Sequence, residues 1–378
     1  MSITTGFGIL TLQMVKGNFF ATSVNHTLFV DKEGSVWGCG TNGYGELGTL
    51  SQEVFVPERI PNLPPIVSVA AGQGTSYLID NTGNVWCCGD NFNGALGIPT
   101  AEEILKPQKN PNLPRITGVF SGYSATYFLD EDAKIWVCGN NRFGQLGIGK
   151  KPKGIEMLVA VPRVISTLPK ITSVSAGSYH SLALDEFGHV WTCGYNFYGQ
   201  LGLGNYKNQE QFCPHFGLPH IIAISAGGSH SLLVDEDRNM WGTGSNVYKQ
   251  WSEVIENNVS TWTICKGVKN VQQVSAGTYF SLVMDEECVW VYGLDIQEEI
   301  IKVKERVNIP DIISFYAGYY HSIFLDISGN VWTYGGNGHG KLGLGDKTSR
   351  TEPVQLQCLS GLLGPRKIPT KSANKIVI

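Results

Sequence analysis

The sequence predicts an all-β chain folded as a seven-bladed β-propeller of four-stranded antiparallel blades. Three observations predict it. First, a glycine-rich stretch recurs along the 378 residues: "GSVWGCGTNGYGELG" from Gly34, "GNVWCCGDNFNGALG" from Gly83, "AKIWVCGNNRFGQLG" from Ala133, "GHVWTCGYNFYGQLG" from Gly188 and "GNVWTYGGNGHGKLG" from Gly329. Two eroded copies, "NMWGTGSN" from Asn239 and "CVWVYGLD" from Cys288, bring the shared tryptophans to seven: Trp37, Trp86, Trp136, Trp191, Trp241, Trp290 and Trp332. Second, the apolar residues around each copy alternate over short runs separated by Gly, Asp and Asn, the pattern of antiparallel meanders. Third, no segment keeps a helical period. A unit of about fifty residues cannot bury its own apolar face, so its repetition means one ring or array rather than several domains.

Within one unit the strands follow in order. "ITSVSAG" from Ile171 alternates and is rich in β-branched residues, "HSLALD" from His180 alternates too, and "HVWTCG" from His189 follows a tight turn. A fourth short strand, "VPRVI" from Val161, lies in the preceding link, where proline suits an edge. Four strands per unit and seven units make a propeller, which hides most sheet edges by radial repetition. The tryptophan is expected between neighbouring blades, and the glycines supply left-handed turn angles. The chain opens part-way through a unit, at "ILTLQMVKGNF", and ends the seventh with a lone strand, "EPVQLQ" from Glu352. The expected closure is therefore a C-terminal strand, residues 353–357, completing the first blade beside Trp37. Residues 1–358 form the propeller; 359–378 form a basic, flexible tail containing "GPRKIPTKSANKIVI".

Composition narrows the function. A net charge of −4 with 16% charged residues gives no general affinity for nucleic acid, so direct DNA binding is not expected. The sequence has no eighteen-residue apolar run for a membrane span, and its first residues lack the marks of a signal peptide. Nine cysteines include Cys39, Cys88, Cys138 and Cys193 at one position of four different blades, too far apart for disulfides. They read as buried thiols of a reducing compartment, cytoplasmic or nuclear, in a monomeric protein. "GQLGIGKK" from Gly144 resembles a phosphate-binding loop, but Lys151 stands where Ser or Thr should hold magnesium, and no helix follows. Cys213, His215 and His220 lack a fourth ligand for zinc. No catalytic residue, cofactor or metal is expected.

Strand alternation sorts the loops onto two faces. The Ala-Gly-x-x-His turn and the Asn-x-x-Gly-Gln-Leu-Gly loop share a top face, and the Asp-x-x-Gly hairpins lie below. The top face collects aromatics at its variable slots: Tyr44, Phe92, Phe143, Phe197, Tyr198 and Tyr248 from the Asn loops, and Tyr123, Tyr179, Tyr279, Tyr319 and Tyr320 from the Ala-Gly turns. Aromatic residues at exposed variable slots are favoured interface anchors, so these are candidate contacts with a protein partner, alongside packing against adjacent loops. An insertion, "GKKPKGIEM" (149–157), adds the basic candidates Lys150, Lys151 and Lys153. The bottom hairpins begin at Asp31, Asp80, Asp130, Asp185, Asp235, Asp285 and Asp326 and hold fifteen of the 32 carboxylates. Each first Asp is ordinary turn chemistry; the rest form a solvated face or a site for a basic, histone-like ligand.

"AGSYHSLALD" followed by "VWTCGYNFYGQLG" resembles the repeat of the regulator of chromosome condensation family, and "AGGSHSLLVD" and "AGYYHSIFLD" repeat the pattern at Ala226 and Ala317. The resemblance covers roughly residues 17–357. It implies a protein-interaction propeller that binds a macromolecular partner through its loop faces. Two alternatives follow: a guanine nucleotide exchange factor for a Ran-like small GTPase, or a chromatin-associated or structural binder using the acidic face or basic tail. In the Ran exchange factor the top face meets the GTPase, which makes His26, His180, His230 and His321 contact candidates as well. Read as residues alone, each histidine braces its own turn. That factor also carries a wedge in one blade; residues 245–262 are a wedge of this kind or an eroded repeat. Only Trp251 and Trp262 stand outside the repeat, so clustered-tryptophan light sensing, known in a plant member, is not expected.

Overall fold

The computed structural model describes residues 18–100, 102–149, 157–255, 257–295 and 300–363, with only the backbone at 295 and 300–303. Twenty-eight strands form seven four-stranded sheets, each built from four consecutive strands. Blade four shows the plan: Ile171–Ala176, His180–Asp185, Val190–Gly194 and Gln209–His215 pair antiparallel in chain order from the axis outward. The second strand is buried at every position because neighbouring blades cover both its faces. Outer strands are mostly exposed: Leu158–Ile165 buries only Val159, Pro162 and Ile165. Apolar clusters bridge adjacent blades: Leu182, Leu184 and Val190 of blade four pack with Ile221 and Leu233 of blade five, with Trp241 against them.

One carboxylate explains both the Asp hairpin and the tryptophan. Asp185 Oδ1 accepts the backbone N–H groups of Phe187 and His189, each at 2.9 Å, and Oδ2 accepts the Trp191 indole N–H at 3.0 Å. The Asp–indole bond recurs in all seven blades at 2.6–3.0 Å. Burial alone would raise the Asp185 carboxyl, but the bonds from Trp191 and the backbone outweigh it and hold it below the usual range. The glycine three residues after the tryptophan is required by crowding: Gly194 sits at φ +102°, and a Cβ there would lie 2.5 Å from the Tyr179 carbonyl oxygen.

The closure differs from the expectation. Arg350–Gln355 pairs with Val331–Gly335 of its own blade, with Thr333 opposite Val354, and does not complete the first blade. Blade one is already whole, because Phe20–Thr22 supplies its inner strand and Glu53–Arg59 its outer one. The cause is the phase of the repeat. The strand after each Asn loop folds straight back on the strand it has just left, so the outer strand belongs to the unit before it.

Side chains and a short C-terminal turn close the ring instead. The Lys341 carbonyl accepts Thr27 Oγ1–H at 2.9 Å and the Cys39 thiol at 3.3 Å, while Lys341 Nζ donates to Val24 O at 2.8 Å. Lys347 pairs with Glu53 at 2.7 Å. The 3₁₀ turn Gln357–Leu359 then turns Leu356, Leu359 and Leu363 into the apolar cluster of blade one, all three at most 2% exposed. Two of these leucines lie beyond residue 358, so the packed propeller runs past the expected domain boundary. Residues 364–378 lie outside the described residues.

Candidate functional site: an aromatic face

The top-face loop is a small machine for holding up its variable residues. In blade four, Asn196 Oδ1 accepts the Leu201 N–H at 2.9 Å, and Nδ2 donates to the carbonyls of Asn205 and Lys207 at 2.9 and 3.1 Å. Gln200 Oε1 accepts the Tyr198 N–H at 3.0 Å. Leu201 is fully buried. With Asn, Gln and Leu turned inward, the residues between them can only face out, and Phe197 is 64% exposed.

The four histidines are not on this face. His26, His180, His230 and His321 are at most 1% exposed, so the structure corrects their reading as partner contacts. Each reaches across a blade junction, and His26 braces its own turn as well, its Nδ1 lying 3.0 Å from Ser23 Oγ. His26 Nε2 bonds Ser76 Oγ at 3.0 Å, His180 bonds Ser231 and His230 bonds Ser281, both at 2.8 Å, and His321 bonds Thr22 and Thr27. Burial pushes His26 down to about 4 and His180 and His230 down to about 3, so they are neutral at neutral pH. The motif cysteines serve the same junctions: Cys88, Cys138 and Cys193 donate to carbonyls of the preceding blade's loop at 3.0–3.3 Å. All nine cysteines are free thiols.

Nine of the eleven predicted aromatics come together, joined by Tyr195. Phe197, Tyr198, Tyr195, Phe143, Tyr179, Tyr123, Tyr319, Tyr320, Tyr279 and Tyr248 form one continuous series of ring contacts, with centroids 5.0–6.4 Å apart. Five blades contribute. Tyr319 of blade seven spans the axis to meet Tyr123 of blade three, and its hydroxyl lies 3.2 Å from Ser178 Oγ of blade four. Burial raises the Tyr179, Tyr195 and Tyr320 hydroxyls above the ordinary phenol range, so they stay protonated. The rings surround an open bowl of about 580 Å³. Tyr44 and Phe92, 49% and 57% exposed, stand at loop tips outside this series. Lys150, Lys151 and Lys153 lie outside the described residues.

Residues 245–262 do not form a wedge. Asn246 Oδ1 accepts the Trp251 N–H at 2.9 Å, its Nδ2 donates to Ser252 and Ile255, and Gln250 Oε1 accepts the Tyr248 N–H. This is the standard loop in altered letters. Lys249 takes the glycine's left-handed angle at φ +59°, and Trp251, fully buried, takes the place of leucine. Gly242 makes the room: a Cβ there would lie 2.3 Å from the Trp251 ring. Val259–Ile264 is the regular outer strand. On the bottom face the first Asp of every hairpin is engaged with its tryptophan, and two further carboxylates are paired, Glu131 with Arg115 and Asp132 with Lys134.

Sequence reasoning missed Tyr195, which joins Phe143, Tyr179, Phe197 and Tyr198. Its slot, between the strand's glycine and the loop's asparagine, holds Thr41, Asp90, Asn140 and Ser245 elsewhere. That variability was the available signal. Among the described residues no helix is long and apolar enough to cross a membrane.

Known proteins share this architecture. The RCC1-like domain matches residues 11–303, and the regulator of chromosome condensation (RCC1) repeat matches 312–341 and 328–377. The probable E3 ubiquitin-protein ligase HERC4 of Rattus norvegicus is 45% identical over 64 residues, 16% of this chain and 6% of that protein. The chain thus matches only a small part of that relative's length. The crystal structure of human WBSCR16 superposes with a TM-score of 0.75 at 23% identity, covering 85% of this chain and 93% of the other. Yeast RCC1 (Prp20), solved bound to Kap60, superposes at 0.72 with 21% identity, covering 90% and 85%. A second structure of Prp20p from Saccharomyces cerevisiae, reported with its binding properties to Gsp1p and histones, superposes at 0.59 with 22% identity, covering 89% and 76%. The structural likenesses carry the fold, and the match across residues 11–303 carries the family: this chain belongs to the RCC1-like propellers of the regulator of chromosome condensation family.

Proposed function

We propose that this propeller is a protein-interaction platform whose working surface is the aromatic top face. The observation that carries the reading is the ten-ring series drawn from five blades around an open bowl. Rings fixed by one another lose little freedom on binding, and a desolvated aromatic anchor contributes about 2 kcal/mol or more. A finer form of the reading is nucleotide exchange on a Ran-like small GTPase. Exchange makes and breaks no covalent bond: a face that binds the nucleotide-free GTPase better than the loaded one expels nucleotide. The yeast relative reported with binding properties to Gsp1p and histones supports a protein ligand. On this reading the propeller works as a monomer in the nucleus or cytoplasm.

The test compares two variants of the whole chain. Phe197, Tyr198 and Tyr248 become Ala in one; Glu131, Glu186 and Glu236 become Gln in the other. The first should lose the captured partner at an unchanged melting temperature, and the second should keep it. Release of labelled GDP from any GTPase recovered reads the exchange reading separately. Loss of binding in the second variant alone, steepening with salt, would move the function to the acidic face and a histone-like ligand.

A further inference from the structure

The second residue of every blade's second strand is a buried serine or threonine, from Thr27 in blade one to Ser322 in blade seven. Among the described residues, a ring of the preceding blade bonds that hydroxyl at six of the seven junctions. His26, His180, His230 and His321 do so at four and Tyr77 and Tyr127 at two, over 2.6–3.2 Å. At the same six junctions the preceding blade's Asn loop supplies a fully buried apolar residue: Leu47, Leu96, Leu146, Leu201, Trp251 or Leu342. The junction of blades six and seven has neither clip. Phe280 stands in the ring's place and offers no nitrogen or oxygen, and the sequence after Val289–Asp295 carries no Asn-loop motif. Ser322 Oγ is left without a partner because both of its usual ones are missing. What fills this junction is apolar: Phe280, Leu282 and Val291 of blade six against Phe315 and Phe324 of blade seven.

We propose that this junction is a built-in seam, which parts from the rim inward while the other six junctions stay shut. Apolar contact is non-directional, so the seam parts without breaking the hydrogen bonds that every clipped junction would have to give up. A ring held unevenly opens first where its ties are fewest. Beside the axis the seam is tied like its neighbours. The Ala317 N–H donates to Ser275 Oγ at 2.9 Å, as Ala276 does to Ser225 and Ala226 to Ser175, and Gln273 Nε2 adds a bond to Phe315 O at 2.9 Å. The missing clips lie further out, so these inner ties are the last to go, and the Ala317 N–H reports complete parting. The seam also reaches the aromatic face. Tyr279 directly precedes Phe280 and Tyr320 directly precedes His321, and their rings stack across the seam, 6.4 Å apart, on the wall of the bowl. Parting draws these two rings apart and widens the bowl on one side. That use, as a gate to the aromatic face, rests on the platform reading above; the seam itself does not.

The test is amide hydrogen exchange on the full chain, read residue by residue and corrected for intrinsic rates. Ala317 should exchange at least tenfold faster than Ala226 and Ala276, which hold the same place at two clipped junctions. Phe280→His restores one clip. The Phe280 ring packs on Gly277 as the His230 ring packs on Gly227, so an imidazole there would face Ser322. This variant should slow Ala317 at least fivefold and leave Ala226 unchanged. Should it fail to fold, Ser231→Ala reads the same principle in reverse: it removes the clip between blades four and five and should speed Ala226 at least fivefold. Equal exchange at the three alanines overturns the seam. So does a folded Phe280→His chain whose Ala317 exchanges like the parent's, or a Ser231→Ala chain whose Ala226 does. Capture of a partner by the Phe197, Tyr198 and Tyr248 variant does not enter these rates, so the seam and the platform fail separately.

Discussion

The junction between blades four and five and the junction between blades six and seven are built from the same strands, yet they are clipped together differently. At the first, His180 Nε2 bonds Ser231 Oγ, Ser231 donates to the Gln200 carbonyl at 2.8 Å, Thr243 donates to Gly199 O at 3.0 Å, and Leu201 fills the gap. At the second, Phe280 stands at the histidine position and Val289–Asp295 turns back to Ile300–Arg306 without the Asn loop. Ser322 Oγ, fully buried, has no partner there. Two neighbouring openings of about 20 Å³ each remain, both touching Val291 and Tyr334. Strand pairing makes a blade; a junction is made by the Asn loop together with a histidine at four junctions or a buried tyrosine, Tyr77 or Tyr127, at two. A ring of seven can keep its shape with one junction weakly clipped, because the other six hold the geometry.

The largest expected effect comes from the junction where the chain's ends meet. Removing residues 357–378 deletes Leu359 and Leu363 from the blade-one cluster while leaving every strand intact. Each buried leucine lost costs about 2–5 kcal/mol, so thermal unfolding should shift down by well over what a surface truncation gives. A truncated chain that melts like the parent would show that the strand-borne ties through Lys341 and Glu53 close the ring alone. Next in size is Leu201→Ala, which brings the junction of blades four and five closer to that of six and seven. It should cost about 2–5 kcal/mol in chemical denaturation, and a cost below 1 would mean that the loop leucine is not what clips the blades.

Acid should act on the histidine-clipped junctions and spare the others. The unfolded chain protonates histidine near its ordinary value of 6.5, whereas burial pushes His26, His180 and His230 down to about 4, 3 and 3 in the fold. Between those limits the unfolded state holds more protons, so stability is full above 6.5 and declines as pH falls toward 4. The slope is at most about 1.4 kcal/mol per pH unit for each such histidine. His180→Phe, which copies blade six, should lower stability at pH 7 but flatten the pH dependence by one histidine's share. An unchanged slope between pH 6.5 and 4 would place the acid sensitivity elsewhere.

Much of this was readable from residues, and the failures share a cause. Blade number, strand order within a unit and the grouping of both long motifs on one face follow from the repeat and from alternation. Alternation cannot say to which blade the outer strand belongs, so Arg350–Gln355 was expected in the wrong one. Nor can it say how far a side chain reaches: the histidines were expected at the surface or in their own turns, and they cross junctions. Asn246, Lys249 and Trp251 hid an intact loop, because a lysine at positive φ and a tryptophan facing a glycine keep a geometry that the letters have lost. The aromatic slots were visible since they vary; that ten rings touch is a property of the closed ring alone.

The smallest effect is also the sharpest, because its sign should differ between the two junctions. Ser231 and Ser322 occupy the same place in blades five and seven, each fully buried. Ser231 Oγ bonds both His180 and Gln200, so Ser231→Ala strands the His180 Nε2 and the Gln200 carbonyl and should cost about 1–3 kcal/mol. Ser322 Oγ bonds nothing, so Ser322→Ala removes an unsatisfied hydroxyl without stranding a partner. The change opens that junction by only one oxygen atom, and it should be neutral or stabilising by up to about 1 kcal/mol. The two variants differ from the parent by one oxygen each, so denaturant midpoints at equal slope compare them directly. If both lose stability alike, Ser322 has a partner in solution, and the junction of blades six and seven is as well clipped as the others.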